Sequence, residues 1–163
     1  MRTKKYKVYP DSCVLISWIT GEKRLNHEMD GVLDCFDKVL KGEILLVILR
    51  NTMFEEVELR TLESADKFRK LMMRKGIELP SVDLRVERLA AELRKYYSDN
   101  GPKELTEKDS LHLAAAIHYK VDAFYTFDEG KKGGISLLSL SGNVAGYHLL
   151  ICRPPFNQTR LNL

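Results

Sequence analysis

The sequence predicts an α/β fold, with a mostly parallel sheet carrying helices on both faces. Short apolar runs rich in β-branched and aromatic residues, such as "YKVY", "EILLVIL" and "DAFYTF", alternate with longer segments of helical periodicity. Glycine or proline punctuates several of the boundaries. The chain of 163 residues, 44% apolar and 30% charged, has the size and balance of one globular domain, taken as 1–163.

Residues 6–9 form the first expected strand, followed at once by a helix or turn in "SCVLISWI". In "NHEMDGVLDCFDKVLKG", Met29, Val32, Leu33, Phe36, Val39 and Leu40 recur at helical spacing until Gly42. The run at 43–49 suits a buried strand. "NTMFEEVELRTL" and "SADKFRKLMMRKG" are expected to be two helices, the second stopped by Gly76. "IEL" before Pro80 supplies a third strand. Residues 82–97 make an amphipathic helix with Val82, Val86, Leu89, Ala90 and Leu93 on one face. The loop "SDNGPKEL" leads to a helix opening at Thr106. Residues 122–127 form a fourth strand and 147–152 a fifth, whereas "GGISLLSLSGNVAGY" carries no clear pattern.

Composition narrows the function classes. No run approaches the roughly 20 apolar residues that span a bilayer. The basic N-terminus lacks an apolar core with a cleavage site, so neither a signal peptide nor membrane association is expected. Cys13, Cys35 and Cys152 show no C-x-x-C spacing, which argues against a disulfide framework or zinc site and suits the cytoplasm. A net charge of +3 permits a polyanionic partner without requiring one. There is no Walker A or G-x-G-x-x-G motif to support nucleotide binding.

Four acids stand where a parallel sheet presents ligands, beyond the carboxyl ends of strands or at helix starts. Each has a plain structural explanation. Asp11 can cap the helix after the first strand, and Thr106 with Asp109 resembles a capping box. Asp128 can form a turn ahead of Gly130, and Glu55 or Glu56 suits the positive end of a helix. Their joint placement is harder to explain structurally. Converging carboxylates repel one another, and a divalent cation relieves that conflict. An oxygen-only set suits Mg²⁺ or Mn²⁺ and the chemistry of phosphodiester hydrolysis. His112 and His118 are expected to pack or face solvent. Trp18, Tyr96, Tyr97 and Tyr125 are more easily assigned to packing than to base stacking, and Met72 and Met73 to core filling.

The stretches "VYPDSCVLISWI", "FEEV" and "KDSLHLAAAIHYKVDAFYTFDEG" resemble the PIN-domain family, small metal-dependent nucleases that include VapC-type toxins. The last stretch has the family's order of an aspartate, a small-residue helix, a strand and Thr-x-Asp. The resemblance implies a three-layer sandwich with a five-stranded parallel sheet and, commonly, a homodimer. It implies Asp11, Glu56, Asp109 and Asp128 as catalytic ligands of Mg²⁺ or Mn²⁺, with Glu55 as the alternative second acid. Ser12 and Thr126 would orient the carboxylates. The implied activity is endoribonuclease cleavage of RNA, with an antitoxin as a protein partner if the chain is a toxin. Lys131 and Lys132 are expected to steer the substrate backbone because they lie close in sequence to Asp128. The segment "EGKKGG" after Thr-x-Asp adds only Glu129 as a further acid. That leaves a catalytically inert RNA- or protein-binding module as the alternative.

Overall fold

The computed structural model describes residues 3–50, 62–130 and 133–156. Its sheet has five strands: β1 (Tyr6–Pro10), β2 (Ile44–Val47), β3 (Ile77–Glu78), β4 (Ala123–Tyr125) and β5 (Ile151–Cys152). Their spatial order is β3-β2-β1-β4-β5, and every pairing is parallel. The chain builds outward from β1 on one side and then returns to β1's other edge with β4. The reversal of strand order therefore lies between β1 and β4, where open parallel sheets form their ligand crevice.

Among the described residues, α1 (Ser12–Thr20), α2 (Glu28–Leu40) and α3 (Leu62–Met72) make one helical group, with α1 packed on both others. Helices α4 (Leu84–Asn100) and α5 (Glu107–His118) pack on each other as a second group. The two groups and the sheet between them give the expected three layers. Val8, Leu46, Phe124, Leu113 and Leu15 are fully buried in the common core. Each such side chain contributes about 1.5–3 kcal/mol when removed from water.

Local chemistry explains the element ends. Asp83 caps α4, its Oδ1 accepting from the Arg85 and Val86 amides at 2.9 and 3.0 Å. This helix runs three residues past its expected end, to Asn100. Gly31, at the end of the first turn of α2, is where the chain after β5 presses against the helix. A Cβ there would stand 2.2 Å from the Pro154 carbonyl oxygen.

The fifth strand is far shorter than the expected 147–152. Tyr147 turns back to bridge Val144, the Gly142 amide donates to the Leu149 carbonyl, and Ser141 Oγ accepts from the Ile151 amide. Backbone groups that would have extended the ladder are thus taken by a local turn. The unpatterned stretch before it holds a 3₁₀ turn at Leu138–Leu140. The helix expected over 51–62 falls almost wholly outside the described residues. No helix among the described residues is long and apolar enough to cross a membrane.

Candidate active site

A cavity of about 640 Å³ opens at the reversal point between β1 and β4. Asp11, Ser12, Asp109 and Asp128 all line it, and Glu104, Arg24 and Lys108 contribute charge to its walls. Four residues singled out from the sequence therefore share one concavity. Glu55 and Glu56 lie outside the described residues, as do Lys131 and Lys132.

Asp11 is delivered by β1. Its amide donates to the Tyr125 carbonyl at 2.8 Å, which extends the β1–β4 ladder by one residue. The side chain also caps α1, with Oδ1 accepting from the Ser12 amide at 2.9 Å. Its other oxygen, Oδ2, accepts from the Thr126 hydroxyl at 2.8 Å. Thr126 is fully buried, and its Oγ1 also accepts from the Asp128 amide at 3.1 Å. One hydroxyl thus links the acid after β1 to the acid after β4.

Asp128 does act as a turn former, with Oδ1 accepting from the Gly130 amide at 2.9 Å. Asp109 sits in the first turn of α5, and its amide donates to the capping Thr106 hydroxyl at 3.1 Å. The carboxyl of Asp109 is held above the usual aspartate range. Burial is the main cause, and the charges of Asp11 and then Asp128 add to it, against a lowering hydrogen bond from Thr106. The structural roles weighed for Asp11 and Asp128 are present and Thr106 caps α5 through the Asp109 amide, yet the three acids still share one cavity.

A cation would relieve this arrangement. Carboxylate oxygens are the donor set of a hard divalent ion. Among the described residues, no three acidic, imidazole or thiol side chains are grouped tightly enough to hold one ion directly. A Mg²⁺-like ion keeps several waters and takes only one or two direct carboxylates, so it does not require such a group. Cys13 is unsuited to nucleophilic work: burial, followed by the charge of Asp11, pushes its thiol up to about 12.

The family model of the PIN domain matches residues 8–132. The chain belongs to the PIN-domain family. PIN nucleases generally use divalent metal ions, in keeping with the oxygen donors of the cavity. Among solved structures, this PIN domain is similar to VapBC2 from Rickettsia felis bound to a DNA fragment from their promoter. That match has 11% identity, a TM-score of 0.63, and covers 89% of this chain and 98% of the other. FitAcB from Neisseria gonorrhoeae matches with 17% identity and a TM-score of 0.56, over 90% of this chain and 97% of the other. Mycobacterium tuberculosis VapC20, a sarcin-ricin-loop-cleaving toxin, matches with 10% identity and a TM-score of 0.55, over 75% and 90%. At such identities the likeness is one of fold. No curated protein matches this chain in sequence.

Sequence reasoning missed one polar feature beneath the cavity. His112, expected to pack or face solvent, is fully buried and hydrogen-bonded through Nδ1 to the Tyr9 hydroxyl. A histidine one turn after a site acid was the available signal. Its partner was read only as a strand residue. The aromatic residues weighed as base platforms are largely packed: Trp18 stacks on Phe36 at 4.5 Å, and Tyr125 is buried.

Proposed function

We propose that the chain, as one PIN domain over 1–163, is a metal-dependent endoribonuclease. Asp11, Glu56, Asp109 and Asp128 are its Mg²⁺ or Mn²⁺ ligands, and Ser12 and Thr126 orient them. The observation that carries this reading is the meeting of Asp11, Asp109 and Asp128 in one cavity, with burial and the other two charges raising Asp109. Such a conflict is what a bound cation resolves.

A divalent ion bound there supplies water activation and neutralises charge developing at the scissile phosphate. Thr126 keeps Asp11 Oδ2 turned toward a fixed donor, and the α1 cap holds Oδ1. The positive end of α5 faces the same cavity through Asp109 and favours an anion nearby. Lys108 on the wall adds positive charge beside the acids, which suits a polyanionic strand.

RNA is the favoured substrate, and an antitoxin protein a partner, because VapBC2 and the toxin VapC20 are among the similar structures. A homodimer and a cytoplasmic location belong to the same proposal. The deciding test is cleavage of a panel of structured and single-stranded RNAs with Mg²⁺ or Mn²⁺, with EDTA, and with Asp11→Asn and Asp109→Asn. The expected result is metal-dependent cutting that both variants lose while staying folded. Full activity in both variants overturns the ligand assignment.

One observation favours an inert module instead: no three acids among the described residues are grouped closely enough for direct ligation of one ion. An inert protein would show no thermal stabilisation by millimolar Mn²⁺. The nuclease would show a rise that Asp109→Asn abolishes.

A further inference from the structure

Tyr9 and His112 are fully buried, and neither lines the cavity. A buried hydroxyl left without a partner costs about 1–3 kcal/mol. Here the Tyr9 hydroxyl meets His112 Nδ1 in a hydrogen bond, and the Leu49 amide donates to the same oxygen at 3.4 Å. A hydroxyl that accepts from Leu49 and donates to Nδ1 satisfies both contacts. The Tyr9 ring also lies flat on Phe124, with centroids 5.4 Å apart and planes 3° from parallel.

The elements joined at this ring are the ones that carry the site. Tyr9 is two residues before Asp11 on β1. His112 is one turn after Asp109 on α5. Phe124, on β4, is two residues before Thr126. Leu49 follows β2, whose chain runs on to Glu55 and Glu56.

Stability alone does not account for a polar pair at this position. Replacing both partners of a buried hydrogen bond with apolar groups of similar shape is often nearly neutral. What a hydrogen bond adds is direction. Among the fully enclosed apolar side chains of α5, Leu113 is large, but Ala114, Ala115 and Ala116 present only methyl groups, which do little to fix how a helix slides or rotates. The directional bond from His112 to Tyr9 on β1 adds a constraint on both.

We propose that the Tyr9–His112 pair is a positioning device that sets Asp109 against Asp11, and so sets the cavity's affinity for a divalent cation. The inference rests on the metal-dependent reading above. Both residues act through the acids and touch no substrate.

The test uses Mn²⁺ alone as the probe, with binding to the full chain followed by electron paramagnetic resonance of the free ion. Wild type, Tyr9→Phe, His112→Leu and His112→Asn are compared, and metal-free melting temperatures are recorded in parallel. Asparagine can place an acceptor near the position of Nδ1, so His112→Asn should bind Mn²⁺ close to wild type. Tyr9→Phe and His112→Leu should bind about tenfold more weakly, in the range seen for residues that orient metal ligands. Both should keep a cooperative melt, and the double variant should lose little more than either single one.

Wild-type binding with unchanged affinity in Tyr9→Phe overturns this inference alone. An affinity loss that His112→Asn shares in full, or that appears only in variants no longer folded, also overturns it in favour of a structural role. A wild-type protein that binds no Mn²⁺ overturns the metal-dependent reading, and this inference with it.

Discussion

The Thr126 hydroxyl donates to Asp11 Oδ2 at 2.8 Å across the seam between β1 and β4, joining residues 115 positions apart in the chain. Thr126 is fully enclosed, and Asp11 is buried apart from the part of it that borders the cavity. Thr126→Val keeps the volume and removes the hydroxyl. It should cost on the order of 1–3 kcal/mol, because Asp11 loses a donor and the Asp128 amide loses its acceptor. Thermal denaturation should show a fall of roughly 3–10 °C. Cleavage should weaken about tenfold, as for other residues that orient ligands. Thr126→Ser should recover most of both losses.

Asp109 should make the metal-free protein less stable as pH rises. Its folded-state pKa is raised, chiefly by burial, above the unfolded value. Its contribution to stability is therefore fully present below the unfolded value and is lost as pH rises through the raised folded one. Asp109→Asn removes that titration. In EDTA, the variant should melt above wild type at neutral pH and lose the advantage in acid. Equal melting temperatures across the range would contradict the assigned conflict.

Gly31→Ala should destabilise the protein although alanine is the better helix former. In an open helix the change gains about 0.5–1 kcal/mol. Here the new methyl would meet the Pro154 carbonyl oxygen, a backbone atom, at 2.2 Å. Relieving that overlap requires α2 to move from the chain after β5, at a cost of about 1–3 kcal/mol. Chemical denaturation of the two proteins gives the sign directly.

The thiols of Cys13 and Cys35 should resist alkylation in the native state. Burial is the main cause that pushes each up to about 12. At pH 8 the thiolate fraction is then on the order of one in ten thousand. Iodoacetamide followed by mass spectrometry should label both only after unfolding. Rapid native labelling of Cys13 would indicate a reactive thiol in the cavity.

The sequence by itself determined the layered α/β architecture and most element positions. Local periodicity and turn chemistry carry that information: "EILLVIL" can bury both faces only as an interior strand, and Thr106 announces a helix start through its own side chain. The order of the family's motifs along the chain pointed to the same fold. Tertiary structure alone decided what local pattern cannot encode. Strand order set Asp11 beside Thr126, because a contact across 115 residues depends on which edge β4 joins. The stub of β5 followed from a competing turn at Ser141 and Gly142, although the apolar run at 147–152 suited a longer strand. The buried Tyr9–His112 bond is hinted at locally only by a histidine one turn after Asp109, since a tyrosine in a strand and a histidine in a helix acquire a shared environment only when β1 and α5 pack.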